Sequence, residues 1–411
     1  MGRWNKIKLG NACLISKGQQ LNKVDLEKAG DYPCINGGIE PSGYTDKWNT
    51  EANTITISEG GNSCGYVNFN RTRFWSGGHC YSLLELKDSI DVNFLYHALK
   101  GRESLIMGLR VGSGLPNIQQ KALKEFEFDY PESKSEQTRI AQILSTADRA
   151  IAQTEALIAK YQRIKTGLMQ DLLTRGIDEH GRIRSKATHR FVVKKGIEVP
   201  EEWEVLTMED LCSKITDGSH FSPIPQQEGQ LIGNVKDMGE YEINIASCTK
   251  ITQKDFEILK QQNCSPNKGD VLLSKDGTIG RVIFYNTDFE IVLLSSIAIL
   301  RPKPKYNGLL LSWYLKSEFF KKQLLELESG SALRRIVLKD IRKLKFPFPK
   351  EPKEQEILAN KLLKISSLIQ KENIKLTKLQ SLKTGLMQDL LSGRVRVKVP
   401  ETGHEKEQQN A

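Results

Sequence analysis

The 411-residue chain carries 60 Lys and Arg against 50 Asp and Glu, a net charge of +10, with 38% hydrophobic and 27% charged residues. Such a length accommodates two to three domains, each with its own core, and no apolar run is long enough to cross a membrane. The seven cysteines are odd in number, scattered and without a CxxC, so spacing speaks against a disulfide scaffold or a zinc module.

Reduced thiols fit a cytoplasmic protein, and the start, Met1-Gly2-Arg3-Trp4-Asn5-Lys6, has neither an apolar signal core nor a Ser or Thr at position six. The basic balance favours a polyanionic partner. Much of it is local: residues 339–396 hold 14 Lys and Arg against 6 Asp and Glu. A solvated helix face would give the same count.

In chain order, a first mixed segment (1–133) opens on Trp4-Asn5-Lys6-Ile7-Lys8-Leu9 and reaches Gly18. A β-rich run follows at 54–67, with the glycine turn Ser58-Glu59-Gly60-Gly61-Asn62-Ser63-Cys64-Gly65. Near its end lies Gly112-Ser113-Gly114-Leu115-Pro116-Asn117-Ile118-Gln119-Gln120-Lys121, which reads as a small-residue loop opening a short helix. Free N–H groups there would suit a phosphate, although a plain N-cap by Ser113 explains the pattern equally well.

A helical stretch (134–176) comes next. Ile140, Leu144, Ala147, Ile151, Thr154, Ile158, Tyr161, Lys165, Leu168 and Leu172 alternate at spacings of four and three, a heptad seam. A helix of about 36–40 residues reaches roughly 55–60 Å. It ends on Lys165-Thr166-Gly167-Leu168-Met169-Gln170-Asp171-Leu172-Leu173, followed by a charged, glycine-punctuated linker (177–200).

The chain then repeats itself. A second mixed segment (201–352) opens on Trp203-Glu204-Val205-Leu206-Thr207-Met208, reaches Gly218, and turns at Ser274-Lys275-Asp276-Gly277-Thr278-Ile279-Gly280. The stretch from Gly218 to Ser274 is longer than that from Gly18 to Ser58, so this copy carries extra chain. Gly330-Ser331-Ala332-Leu333-Arg334-Arg335-Ile336 answers the loop at Gly112.

The second helix (353–396) keeps the seam in register with Leu358, Leu362, Ile365, Ile369, Glu372, Leu376, Leu379, Lys383, Leu386 and Leu390. It ends on Lys383-Thr384-Gly385-Leu386-Met387-Gln388-Asp389-Leu390-Leu391, letter for letter the nonapeptide that begins at Lys165. The offset from Lys165 to Lys383 holds without a gap back to Gly112 and Gly330. A polar tail (397–411) reads as disordered.

A period of half the chain is too long for a solenoid. It predicts an α+β chain of two globular domains joined by two long helices, paired as an antiparallel coiled coil with a pseudo-two-fold internal repeat. Thr154 with Glu372 and Lys165 with Lys383 interrupt the seam, and polar residues at such positions commonly fix register at some cost in stability. Gly167 and Gly385 suggest close approach of another backbone, since glycine in a helix costs about 1 kcal/mol relative to alanine.

Catalytic signatures are missing. There is no P-loop, no dinucleotide GxGxxG and no adenine-methylation Asn/Asp-Pro-Pro-Tyr/Phe run. Asp178-Glu179-His180 mimics a helicase box but lies in the linker. Asp129 to Lys134 mimics a nuclease cluster but lies at a helix entrance. His79-Cys80 near Cys64 reads better as buried thiols than as metal ligands.

The candidate DNA-binding residues are Gly60, Gly61, Asn62, Ser63, Arg110, Ser113, Asn117, Gln119, His220, Lys275, Asp276, Thr278, Ser331, Arg334 and Arg335. Arg to guanine and Asn to adenine are the usual base contacts. Candidate subunit-interface residues are Lys165, Gly167, Met169, Gln170, Lys383, Gly385, Met387 and Gln388. The rival reading is a coiled-coil scaffold without sequence-specific DNA binding.

Val199-Pro200-Glu201-Glu202 before Trp203, the Gly269-Asp270-Val271-Leu272 run, the Gly-Ser loops, Pro131…Glu136-Gln137, Pro349…Glu354-Gln355 and the doubled nonapeptide together carry a resemblance. The chain resembles the specificity subunit of type I restriction–modification systems over roughly 4–396, although Trp4 lacks the Pro-Glu-Glu preface of Trp203.

That resemblance implies two target recognition domains, each reading half of an asymmetric, interrupted DNA site through the major groove. It implies no chemistry in this chain and no cofactor of its own. Its partners would be double-stranded DNA, two methyltransferase subunits and two restriction/translocase subunits. S-adenosylmethionine, ATP and Mg²⁺ would reside on those subunits. The helices would act as a spacer setting the gap between half-sites, whose centres would lie about one turn, roughly 34 Å, apart.

Overall fold

The computed structural model describes residues 4–22, 26, 30–112, 114, 116–327 and 335–398. The chain divides into two compact units, 1–156 with 373–411 and 157–372. The first long helix, Lys134–Thr174, lends 134–156 to unit 1 and the rest to unit 2. The second, Pro352–Leu390, lends 352–372 to unit 2 and the rest to unit 1.

The two units share one topology. Unit 1 has an antiparallel sheet ordered Leu14–Lys17, Cys80–Leu84, Thr54–Ser58, Val67–Asn70; unit 2 has Cys212–Asp217, Ile297–Pro302, Val271–Ser274, Val282–Phe284. Beside each lies a three-stranded sheet with one antiparallel and one parallel pairing, Tyr32–Ile35 at the centre in unit 1 and Gln230–Gly233 in unit 2. A two-stranded ribbon closes each domain, pairing Trp4 with Pro131 and Trp203 with Pro349. The extra chain of unit 2 supplies a helix, Gln253–Gln261, capped by Thr252.

The seam predicted from heptads is the inward face. Ile140, Leu144, Thr154, Ile158 and Leu172 are buried in the first helix, as are Leu358, Leu362, Ile365, Ile369 and Leu390 in the second. Thr154 needs no partner across the seam, because its Oγ1 donates to the Ala150 carbonyl one turn back. Within unit 1 the two helical stretches run antiparallel: Lys383 meets Asp148, while Arg396, further on, meets Glu136, further back.

Each helix begins with a buried Glu-Gln pair that ties it down. Gln137 accepts from the Asp91 N–H and donates to the Pro131 carbonyl; Gln355 does the same with Asn307 and Pro349. Glu354 takes both Nη groups of Arg184, at 2.5 and 3.1 Å, together with Trp203 Nε1 and the Ile177 N–H. Glu136 takes Arg396 Nε and Nη2, each at 2.6 Å. Gly176 (φ +62°) turns the chain off the first helix where a Cβ would strike Glu354 and Trp203 at 2.3 Å, so glycine is required there. Gly393 does the same against Trp4.

Residues 177–200 are therefore more than a linker. Ile177 and Val199 are buried in the core of unit 2, and Phe191–Lys194 pairs with Ile197–Pro200. Asp178 accepts the His180 and Arg182 N–H groups in a turn, which explains the Asp-Glu-His run without a metal. The tail expected to be disordered lies, from residue 399, outside the described residues.

Replacing Glu354 by Ala leaves Arg184 buried without a counter-charge and should cost about 3–5 kcal/mol. Glu136→Ala should cost less, because the Arg396 side chain is 22% exposed against 9% for Arg184. Denaturant unfolding of the two variants checks the order.

Candidate nucleic-acid interface

In both units the structure brings the glycine turn and the later loop together. The turn after Thr54–Ser58 meets the loop at Asn117: Gly60 and Asn117 form a β-bridge, Gly61 N–H donates to Pro116 O, and Ile118 N–H donates to Glu59 O. The turn after Val271–Ser274 meets the equivalent loop: Asp276 bridges Arg335, and Ile336 N–H donates to Lys275 O. Asn117 and Arg335 stand at the same offset as Lys165 and Lys383, so the repeat places an amide in one unit where it places a guanidinium in the other.

These contacts occupy part of the expected phosphate cradle. The helices begin later, at Gln120 and Leu338, each of six residues and without a side-chain cap. Backbone N–H groups near Asn117 and at Ile336 are spent on bridges to the glycine turns. Ser113, Ser331 and Arg334 lie outside the described residues.

Beneath each turn sits one ion pair with its polarity reversed. In unit 1 the Glu59 carboxylate, 13% exposed, takes Lys17 Nζ at 2.7 Å and the Tyr81 hydroxyl at 3.1 Å. In unit 2 the Lys275 ammonium, 1% exposed, takes Asp217 at 3.2 Å and Asp276 at 3.0 Å. Lys17 and Asp217 each precede the glycine that ends the edge strand, and Glu59 and Lys275 each begin the turn. Both Glu59 and Lys275 donate their N–H to the neighbouring strand entrance, at His79 O and Ser296 O. The frame is held and the sign inverted.

Lys275 is thus not available to a ligand. It is the buried centre of a chain of polar contacts, His220–Asp217–Lys275–Asp276–Arg335, whose ends are exposed. Arg335 Nε lies 3.2 Å from Asp276 Oδ1, which orients a half-exposed guanidinium. Thr278 is exposed at the tip, while Ser274 Oγ donates to its carbonyl and takes the Arg281 N–H, bracing the turn.

In unit 1, Asn62, Arg110 and Gln119 are exposed, and Gly60, Gly61 and Ser63 are half-buried. Ser63 Oγ donates to Gly37 O at 2.5 Å, and Gln119 Nε2 donates to Asn117 Oδ1 at 3.0 Å. Asn234, Lys236 and Ser296, which sequence spacing did not single out, line an open cleft of about 570 Å³ with Asp276 and Thr278. They come from separate loops and carry no spacing signal. The described residues contain no His/Cys/Asp/Glu group able to hold a metal.

The nonapeptide candidates split into two sets. Lys165 lies over Trp313, Lys383 pairs with Asp148, and Met169 and Met387 pack on their cores. Gln170 and Gln388 are exposed. Gly167 and Gly385 face open space, where a Cβ would meet nothing within 4 Å, so among the described residues no other backbone makes the close approach expected there. No helix among the described residues is long and apolar enough to cross a membrane.

Two like domains, each with a glycine turn clamped to a variable loop and each using both long helices, define a duplicated specificity-domain protein. The type I restriction modification DNA specificity domain matches residues 1–163 and 200–381, and the chain belongs to that family. A putative type I specificity subunit of Mycoplasma genitalium is 36% identical over 165 residues, which span 39% of this chain and 42% of that protein, less than half its length. The specificity subunit of the type I restriction enzyme MjaVIII of Methanocaldococcus jannaschii is 25% identical across 96% of this chain and 93% of its own. The crystal structure of a type I S subunit from M. genitalium shares the fold, with TM-score 0.70 and 22% identity, covering 95% of this chain and 96% of that one. A chain from a structure of type I complex assembly and conformational transition has TM-score 0.51 and 15% identity, covering 96% of this chain and 98% of its own.

Replacing Lys275 by Ala leaves Asp217 and Asp276 facing each other in a buried site. It should destabilise unit 2 by about 3 kcal/mol or more, read by denaturant unfolding, whereas Arg335→Ala should leave stability within about 0.5 kcal/mol.

Proposed function

We propose that the chain is the non-catalytic DNA-recognition subunit of a type I restriction–modification assembly, each unit reading one half of an asymmetric, interrupted site. One observation carries this reading: two domains of one topology present different polar side chains at equivalent places, Asn62 with Asn117 against Thr278 with Arg335. A frame that is kept while its tip changes suits two different base sequences. Asparagine pairs with adenine and arginine with guanine, each bidentate contact being worth about 1–3 kcal/mol of discrimination. The net charge of +10 supplies the sequence-independent attraction to phosphates.

The doubled nonapeptide supports docking of two copies of one partner, for which methyltransferase subunits are the fitting class. Thr166, Gly167 and Gln170 in one copy, and Thr384, Gly385 and Gln388 in the other, offer the same small polar surface twice. Two restriction/translocase subunits would join that assembly. S-adenosylmethionine, ATP and Mg²⁺ would belong to the partners, and the working compartment would be the cytoplasm. The long helices, shared by both units, would set the gap between half-sites.

Sequencing of methylated adenine in cells carrying the chain with its methyltransferase partner should reveal a bipartite motif that vanishes on deletion of the chain. Arg335→Ala should relax one position of one half-site and leave the other half intact; relaxation in both halves, or no motif at all, would refute the assignment. Inserting one heptad at matched points of both helices should lengthen the gap without altering either half-site. An unchanged gap would remove the spacer role.

A further inference from the structure

Lys165 and Lys383 occupy the same place in the repeat but not the same chemistry. Lys383 Nζ meets Asp148 Oδ1 at 2.5 Å in unit 1. At the same offset from Asp148 stands Ser366, so unit 2 has a hydroxyl where unit 1 has a carboxylate. A second acid is turned to another partner. The helix caps Asp91 and Asn307, each tied to its Gln137 or Gln355, bring Lys100 into register with Lys316. The helix that follows begins on Glu103 in unit 1 and on Glu318 in unit 2; Glu103 pairs with Lys100 at 2.5 Å, whereas Glu318 pairs with Lys321.

Deprived of these acids, the two ammonium groups of unit 2 gather over one pair of rings. Lys316 Nζ lies 5.1 Å from the Tyr241 centroid and 5.4 Å from that of Trp313, and Lys165 Nζ lies 5.9 and 5.3 Å from the same rings. Lys316 also donates to the Glu240 carbonyl at 3.2 Å. Burial lowers both lysines from their ordinary range, Lys316 to about 8 with Lys165 adding to the effect, and the exposed Glu240 carboxylate opposes the shift in both without cancelling it. With Arg281 they line an open cleft of about 500 Å³ whose acidic residue, Glu240, is exposed. A ring face holds an ammonium less strongly than a charge-assisted hydrogen bond to an oxyanion shared by both lysines would.

We propose that this cleft of unit 2 binds a phosphate-class oxyanion through Lys165 and Lys316, with Arg281 beside them, where unit 1 is neutralised by its own carboxylates. The site stands on the chain's own residues and does not require the DNA reading. Its phosphate comes either from a duplex backbone or from a free phosphate.

Calorimetric titration of the full chain with pyrophosphate at low ionic strength should show saturable binding. Ser366→Asp restores the carboxylate of unit 1 and should weaken binding about tenfold or more, as should Lys316→Gln; Lys100→Gln in unit 1 should not. Affinity should fall as pH rises through about 8, where Lys316 gives up its proton among Lys165, Arg281, Glu240 and Tyr241. No binding, or equal binding by wild type, Ser366→Asp and Lys316→Gln, overturns the site. A duplex that displaces pyrophosphate identifies backbone phosphate as the source; a duplex that leaves it bound identifies a free phosphate, and both keep the site. Loss of sequence preference without loss of pyrophosphate binding would strike the DNA reading alone.

Discussion

A carboxylate buried at the start of each long helix is the constraint on which both units depend. Glu354 and Glu136 cannot stay ionised inside a core without an answering charge. Each finds it in an arginine just beyond the end of the other helix: Arg184 follows the first helix and Arg396 follows the second. The pair therefore binds, within one unit, chain that is distant in sequence, 170 residues for Arg184–Glu354 and 260 for Arg396–Glu136. The neighbouring glutamine fixes the start of a domain helix at the same point. Strand, helix entrance and helix exit are thus registered together before any loop is placed.

That registration frees the loop tips to diverge. An ion pair needs opposite signs at two positions, but either order serves, and the two units use both. Lys17–Glu59 and Asp217–Lys275 occupy equivalent places with the charges exchanged. The exchange changes what lies above the pair. Around Glu59 the neighbours are Tyr81 and His79, whereas around Lys275 a second acid, Asp276, aligns Arg335. A buried pair contributes less to net stability than to position, and in unit 2 position holds the Arg335 guanidinium at the surface.

Features with a period or a local composition were legible in the sequence. The heptad seam showed because its alternating spacing survives any loop change, and the glycine turns showed because positive φ at Gly61 and Gly277 demands that residue. Features made by contact were not. Arg-Ile-Arg at 182–184 and Arg-Val-Arg at 394–396 are equivalents, yet six extra residues after the first nonapeptide displace one from the frame of the repeat. The pairing of Gly61 with Pro116 and of Ile118 with Glu59 left no mark either, because it joins a turn to a loop far along the chain. Lys275 looked available because a lysine in a glycine turn is usually solvated; its burial depends on Asp276 beside it and on Asp217, on a strand far earlier in the chain.

Identity and divergence along the repeat then mark two different kinds of constraint. Internal packing tolerates compensated change, as the reversed ion pair shows, so it cannot by itself keep nine consecutive residues identical. Lys165 and Lys383 make the point sharply: the residue is the same, but one lies over Trp313 and the other pairs with Asp148. Their internal partners have changed while they have not. Glycines at 167 and 385 face open space and give the helix no packing in return for their cost. Packing inside the chain therefore leaves the constancy of this stretch unexplained, while the tips at Asn117 and Arg335, held in one frame, differ from one unit to the other.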